Sequence, residues 1–182
     1  MKAEKFSGIS SRVVDKNPFW TYKIDEYLMP DLKIGKYYYA DSRGSVYIIP
    51  LLENNKFILT RQVRYLNGKV SIEFPGGGNI DGIESIDNAR KELFEETGHS
   101  ARQIVQIGSF NPCAGLTNEI CRVYLATGLK CETDKTSGDE SEEINIFQAD
   151  KSEIENLIST SQIWSGMTLA AWALFLQYRN QQ

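Results

Sequence analysis

The sequence predicts an α/β (α+β) fold, a mixed β-sheet sandwiched between helices, preceded by a small antiparallel β element. Three observations predict it. Short runs rich in aromatic and β-branched residues recur between turn signals. One amphipathic helical stretch, 85–97, interrupts them. Two further helical stretches close the chain, the pattern expected when helices cover a sheet.

Taken in order, residues 1–18 are polar and are expected to be partly loose. From Trp20 to Tyr39 the chain reads strand, turn, strand, with the turn signal at Met29-Pro-Asp-Leu32. Asp41-Ser-Arg-Gly44 is a second turn, leading into the apolar strand 46–52. Glu53-Asn-Asn-Lys56 turns the chain into strand 57–63. A short strand, 71–74, runs into Pro75-Gly-Gly-Gly78. In helix 85–97 Ser85 reads as the N-cap, Gly98 as the terminator, and Ile86, Ala89 and Leu93 as one buried face. Strands follow at about 103–111 and 120–129, then an acidic, glycine-containing loop, 131–143. Strand 144–147 and helices 150–159 and 167–178 complete the chain, with Trp164 and Trp172 expected in the core.

Composition narrows the function. The chain of 182 residues is long enough for one full domain with a core and short for two. Its 20 basic and 24 acidic residues leave a net charge of −4, so the basic surplus of a nucleic-acid-backbone binder is missing and no nucleic-acid partner is expected. Cys113, Cys121 and Cys131 are odd in number and form no C-x-x-C, which argues against a disulfide framework or thiolate zinc site and suits a cytoplasmic protein. The N-terminus has no signal-peptide pattern, and the longest apolar run, Met167 to Leu176, is too short for a bilayer, so no membrane partner is expected.

The chemistry concentrates on the central helix. Lys91-Glu-Leu-Phe-Glu-Glu-Thr-Gly98 puts Glu92, Glu95 and Glu96 within one turn, on a shared face. Alone, this is a solvated acidic face with Lys91 and Glu95 paired. Directly upstream, however, a strand breaks into Glu73-Phe-Pro-Gly-Gly-Gly78, a loop whose backbone approaches metals or phosphates without side-chain obstruction. A hard divalent cation turns the repulsion among the carboxylates into binding.

At these residues the sequence resembles the Nudix hydrolases, whose box reads G-x5-E-x7-R-E-U-x-E-E-x-G-U, with U a bulky aliphatic. The box aligns on Gly77, Lys91-Glu92, Leu93, Glu95-Glu96 and Gly98. It departs at Ile83, where the family has its first glutamate, at Lys91, where it has arginine, and at His99. The resemblance implies that Glu92, Glu95 and Glu96 hold Mg²⁺ (Mn²⁺ as substitute), joined by the Gly76 carbonyl. Arg61-Gln-Val-Arg64 looks like the Q-Y-R strand of the ADP-ribose and nucleotide-sugar branch, where the matching arginine contacts the diphosphate. Ser71-Ile-Glu-Phe-Pro-Gly-Gly77 looks like its L-E-x-P-A-G, and Pro112 to Glu119 with Tyr124-Leu-Ala126 like its S-P-G-x-x-x-E and F-L-A. Arg64, Glu73, Gly77 and Trp20 are thereby assigned to substrate binding, although plain core or interface packing is the favoured reading of Trp20 and Tyr22.

The acidic loop Gly138-Asp-Glu-Ser-Glu-Glu143 resembles the one that supplies the branch's catalytic glutamate, with Glu142 first and Glu140 second, and Glu92 behind them. The Nudix resemblance therefore implies a Nudix fold, with residues 41–182 as the hydrolase domain and 1–40 as an N-terminal β region that forms a homodimer. It implies Mg²⁺-dependent cleavage of a nucleoside-diphosphate sugar, ADP-ribose foremost. Two alternatives stand beside it: another Nudix substrate (another nucleotide sugar, a dinucleoside polyphosphate, capped RNA), or a Nudix-like module that binds a nucleotide without cleaving it.

Overall fold

The computed structural model describes residues 6–132 and 144–181. By its internal contacts the chain divides into two compact units. One holds the residues up to Gly44 together with Asn111–Ile120; the other holds Ser45–Phe110 and Cys121–Gln182.

The first unit is an antiparallel sheet in the order β1-β2-β3, formed by β1 (Ser7–Lys16), β2 (Thr21–Leu28) and β3 (Ile34–Asp41). The turn expected at 29–32 is present: Leu32 takes a positive φ of 65°, and its N–H donates to the Met29 carbonyl at 2.9 Å. β1 corrects the expectation of a loose, polar N-terminus. Every one of its residues is exposed, and its pairing with β2 shifts register twice. Backbone hydrogen bonds to an available strand edge are enough to order a segment that carries almost no burial signal. Residues 111–120 join this unit through a bridge between Ala40 and Thr117 and through the Tyr37 hydroxyl, which donates to the Gly115 carbonyl at 3.1 Å.

The second unit contains β4 (Ser45–Pro50), β5 (Phe57–Arg64), β6 (Lys69–Glu73), β7 (Gly76–Gly78), β8 (His99–Phe110), β9 (Cys121–Cys131) and β10 (Asn145–Ala149). Its helices are α1 (Ser85–Thr97), α2 (Lys151–Ser159) and α3 (Gly166–Arg179). A mixed sheet runs β7-β4-β9-β8, with β4 and β9 parallel, and a second, antiparallel sheet runs β10-β5-β6. β4 explains the sandwich. All its residues are buried, as befits a strand covered on both faces. Val46 and Ile48 pack with Ala89 and Leu93 of α1. Tyr47 and Ile49, pointing the other way, join Ala171, Trp172 and Phe175 of α3. Trp172 lies in the core as expected, while Trp164 is part-exposed and donates its indole N–H to the Val70 carbonyl at 2.9 Å. No described helix is long and apolar enough to cross a membrane, and Cys113, Cys121 and Cys131 form no disulfide.

Candidate active site

β5 and β6 bring the first pair of functional side chains together. They are antiparallel neighbours, and β6 ends on Glu73, whose side chain is almost fully buried. A buried carboxylate is costly unless it is paired. Arg64 supplies that pairing as a two-toothed fork: Nε donates to Oε1 at 2.8 Å and Nη2 to Oε2 at 2.7 Å. The Tyr47 hydroxyl, from β4, donates to Oε2 at 2.8 Å and lies 3.2 Å from the Thr168 hydroxyl of α3. Burial alone pushes the Glu73 carboxyl pKa up, but the Arg64 guanidinium, the Ser71 hydroxyl and the Tyr47 phenol together outweigh it and hold the pKa below the ordinary value. Burial, reinforced by the Glu73 charge, pushes the Tyr47 phenol far above its usual range, so it stays a donor.

Three residues after Glu73 the chain enters β7, which pairs with β4 in the register Tyr47↔Gly76 and Val46↔Gly77. Both glycines are required by close approach rather than by a turn. A Cβ on Gly76 would collide with the Val46 carbonyl and lie 3.1 Å from the Tyr47 Cα. A Cβ on Gly77 would sit 2.6 Å from the Glu92 carboxylate, so this carboxylate lies directly against bare main chain.

α1 carries that carboxylate. The helix spans the expected residues and ends on Gly98, whose φ is 69° and whose N–H donates to the Phe94 carbonyl. Its start differs from expectation. The N-cap is Glu84, with no side-chain cap, and the Ser85 hydroxyl accepts from Arg122 instead. The buried face also differs: Ile86 is exposed, and Asn88 is fully buried with Ala89 and Leu93. Asn88 donates Nδ2–H to the Gly78 carbonyl at 3.0 Å, tying the glycine strand to the helix one turn before Glu92.

Glu92 and Glu96, four residues apart, are both half-buried. Burial pushes the Glu92 carboxyl pKa up; Lys91 opposes this and the Glu95 charge adds to it. Lys91 forms an ion pair with Glu95 and lies 3.8 Å from Glu92. Among the described residues no three His, Cys, Asp or Glu side chains stand close enough together to hold a metal ion. The donor chemistry nevertheless fits a hard divalent cation. Glu92, Glu95 and Glu96 carry more negative charge than Lys91 offsets, and the Gly76–Gly77 main chain lies open to the Glu92 carboxylate.

Trp20 is exposed in the first unit, with its backbone N–H held by the Asn17 side chain at 3.0 Å. Glu140 and Glu142 lie outside the described residues. Sequence reasoning missed Tyr47, Thr168 and Asn88. Tyr47 reads as one more apolar member of a core strand, and Thr168 is remote in sequence. The one signal for Asn88 was a polar residue four positions before Glu92.

A family model described as the NUDIX domain matches residues 41–161. The ADP-ribose pyrophosphatase of Bacillus subtilis (strain 168) is 26% identical over 170 residues, covering 93% of this chain and 87% of that protein. The methanol dehydrogenase activator of Bacillus methanolicus is 27% identical over 149 residues, 82% of this chain and 80% of that protein. The crystal structure of an ADP compounds hydrolase shares the fold, with a TM-score of 0.83 over 100% of this chain and 98% of that one at 16% identity.

Proposed function

The chain belongs to the NUDIX domain family, and from that premise we propose that it is a Mg²⁺-dependent pyrophosphohydrolase of nucleoside-diphosphate sugars, with ADP-ribose as its foremost substrate. The observation that carries the reading is the half-buried Glu92 carboxylate set against the bare Gly77 main chain, four residues beyond Glu73 of the Arg64–Glu73 fork. The ADP-ribose pyrophosphatase similarity across most of both chains supports the substrate class.

In this reading Glu92, Glu95, Glu96 and the Gly76 carbonyl hold Mg²⁺ or Mn²⁺, all of them hard oxygen donors. The cation supplies charge neutralisation for the diphosphate and a lowered pKa for bound water. Glu73 fixes the orientation of Arg64, whose guanidinium clamps the anionic diphosphate. Gly77 keeps the approach free of side-chain atoms. Glu142, or Glu140 near it, takes the proton as water oxygen bonds to phosphorus and the bridging phosphorus–oxygen bond breaks. ADP-ribose then gives AMP and ribose 5-phosphate. Trp20 stacks on the nucleobase. The protein works as a homodimer in the cytoplasm.

The deciding experiment incubates the protein with Mg²⁺ and ADP-ribose, other nucleotide sugars, dinucleoside polyphosphates and capped RNA, following release of nucleoside monophosphate. Fastest release from ADP-ribose, abolished by a chelator, is expected. Faster turnover of another compound would reassign the substrate. Nucleotide binding without any turnover would leave a binding module.

A further inference from the structure

The first unit contains a pocket of about 600 Å³ that the diphosphate reading does not use. That volume lies within the range of small-molecule sites. Its walls come from β2, β3 and residues 111–118, and include Phe6, Tyr27, Tyr37 and Tyr39 around Asp25. The aromatic walls are built into the fold. Phe6 meets Tyr27 edge-on with ring centroids 5.5 Å apart, and Tyr37 and Tyr39 are tilted at 6.3 Å. The Tyr27 ring lies across Gly35, where a Cβ would come within 2.6 Å of it, so the opposing strand is cut down to admit that ring.

The polar groups of the lining specify what enters. Asn111 donates to the Thr117 carbonyl at 3.0 Å and accepts from the Cys113 N–H at 2.8 Å. Asn118 donates to Asp41 at 2.6 Å and accepts from the Ser42 N–H at 2.9 Å. The Thr117 hydroxyl accepts from the Glu119 N–H at 3.1 Å. The Tyr37 hydroxyl donates to the Gly115 carbonyl, and the Tyr39 hydroxyl engages Asp25. Asp25 differs from all of these. Its Oδ1 is shielded from solvent and has no hydrogen-bond partner. The nearest ammonium on that strand, Lys23, is committed to Asp41 in an ion pair. Carboxylate oxygens shielded among rings call for a donor, and a charged donor above all. Asp25 itself is part-buried and lines the pocket.

We propose that this pocket binds a small protonated amine with an apolar or aromatic body, its N–H donors on Asp25 and its cation and body enclosed by the rings of Phe6, Tyr27, Tyr37 and Tyr39. Aromatic faces attract a cation through their quadrupole, and the carboxylate supplies the counter-charge. A neutral ligand of the same shape brings no counter-charge to the Asp25 carboxylate, whose Oδ1 has no hydrogen-bond partner. An anion is repelled by it, which separates this pocket from the diphosphate site.

The test uses the full chain and 2-phenylethylamine as probe, followed by saturation-transfer NMR and titration calorimetry. Saturable binding is expected. The isosteric neutral alcohol, 2-phenylethanol, should bind at least tenfold more weakly. Asp25→Asn, which keeps the side-chain shape, should weaken the amine at least tenfold at unchanged melting temperature. If that variant unfolds, Tyr27→Leu, which removes one wall and leaves the carboxylate, should weaken it as much. Absence of saturation, equal binding of the alcohol, or an unaltered Asp25→Asn affinity overturns the proposal. Displacement of the amine by AMP also overturns it, because the pocket would then belong to the nucleotide.

Discussion

Glu73 is where a single residue's ionisation couples to the stability of the fold. Its carboxyl pKa in the folded chain is below the ordinary value, the net result of burial against Arg64, Ser71 and Tyr47. A depressed carboxyl pKa contributes stability that is fully present above the unfolded value, about 4.3 for glutamate, and is lost as pH falls through the folded value. Urea unfolding of wild type and Glu73→Gln should therefore differ most near neutral pH and converge as pH drops below about 4. A gap that stays constant with pH would show that the ionised carboxylate is not what Arg64 and Tyr47 stabilise. Tyr47→Phe removes one donor to a buried charge and should cost about 1.5–3 kcal/mol at neutral pH, read in the same experiment. The box departures separate in the same way. Ile83 is exposed, so Ile83→Glu should change turnover by less than about tenfold, while Glu96→Gln should cost about 10²-fold or more if Glu96 holds metal. Arg64 and Glu73 were legible in the sequence only through the resemblance. Tyr47 and Thr168 were not, because hydroxyls that meet across 121 residues leave no local pattern.

α1 and β7 show which elements announce themselves and which do not. The helix was legible from Ser85 to Thr97, because its apolar period and the left-handed Gly98 are local signals. Its cap and buried face were misread, since both depend on neighbours: Arg122 takes the Ser85 hydroxyl, and the Gly78 carbonyl takes Asn88. β7 was read only as a glycine loop, since three consecutive glycines carry no strand propensity and pair with β4 through backbone alone. The two glycines should respond oppositely to an added methyl. At Gly76 the obstacles are backbone atoms of Val46 and Tyr47, which cannot yield, so Gly76→Ala should destabilise the fold by about 1–3 kcal/mol. At Gly77 the obstacle is the tip of the Glu92 side chain, which can swing away. Gly77→Ala should leave the melting temperature nearly unchanged and lower turnover by about tenfold or more, since a displaced reacting group is costly. The reverse pattern would mean that the Glu92 carboxylate does not need its place against the main chain.

For the whole molecule, the membership of 111–120 in the first unit was not legible, because that segment lies between β8 and β9 in sequence and joins by space alone. The exposed apolar surface of that unit bears on assembly. β1 lies at the sheet edge with Ile9 53% and Val13 55% exposed, and Phe19, Ile34 and Tyr38 are exposed in the same unit. Monomeric proteins protect strand edges with charge or cover them, and clustered apolar exposure of this kind marks an association surface. Charge supplies little protection here: Arg12 is the only charged residue between Ser7 and Val14. A second copy of the chain, placing its own β1 and neighbouring rings against these, would cover the surface symmetrically. Light scattering at assay concentration should give twice the mass of the chain. Val13→Lys sets a charge in the middle of the edge strand and has no buried contact to lose, so it should yield folded monomer with unchanged far-ultraviolet circular dichroism. A wild-type monomer, or a Val13→Lys protein that stays dimeric, would place the association surface elsewhere or remove it.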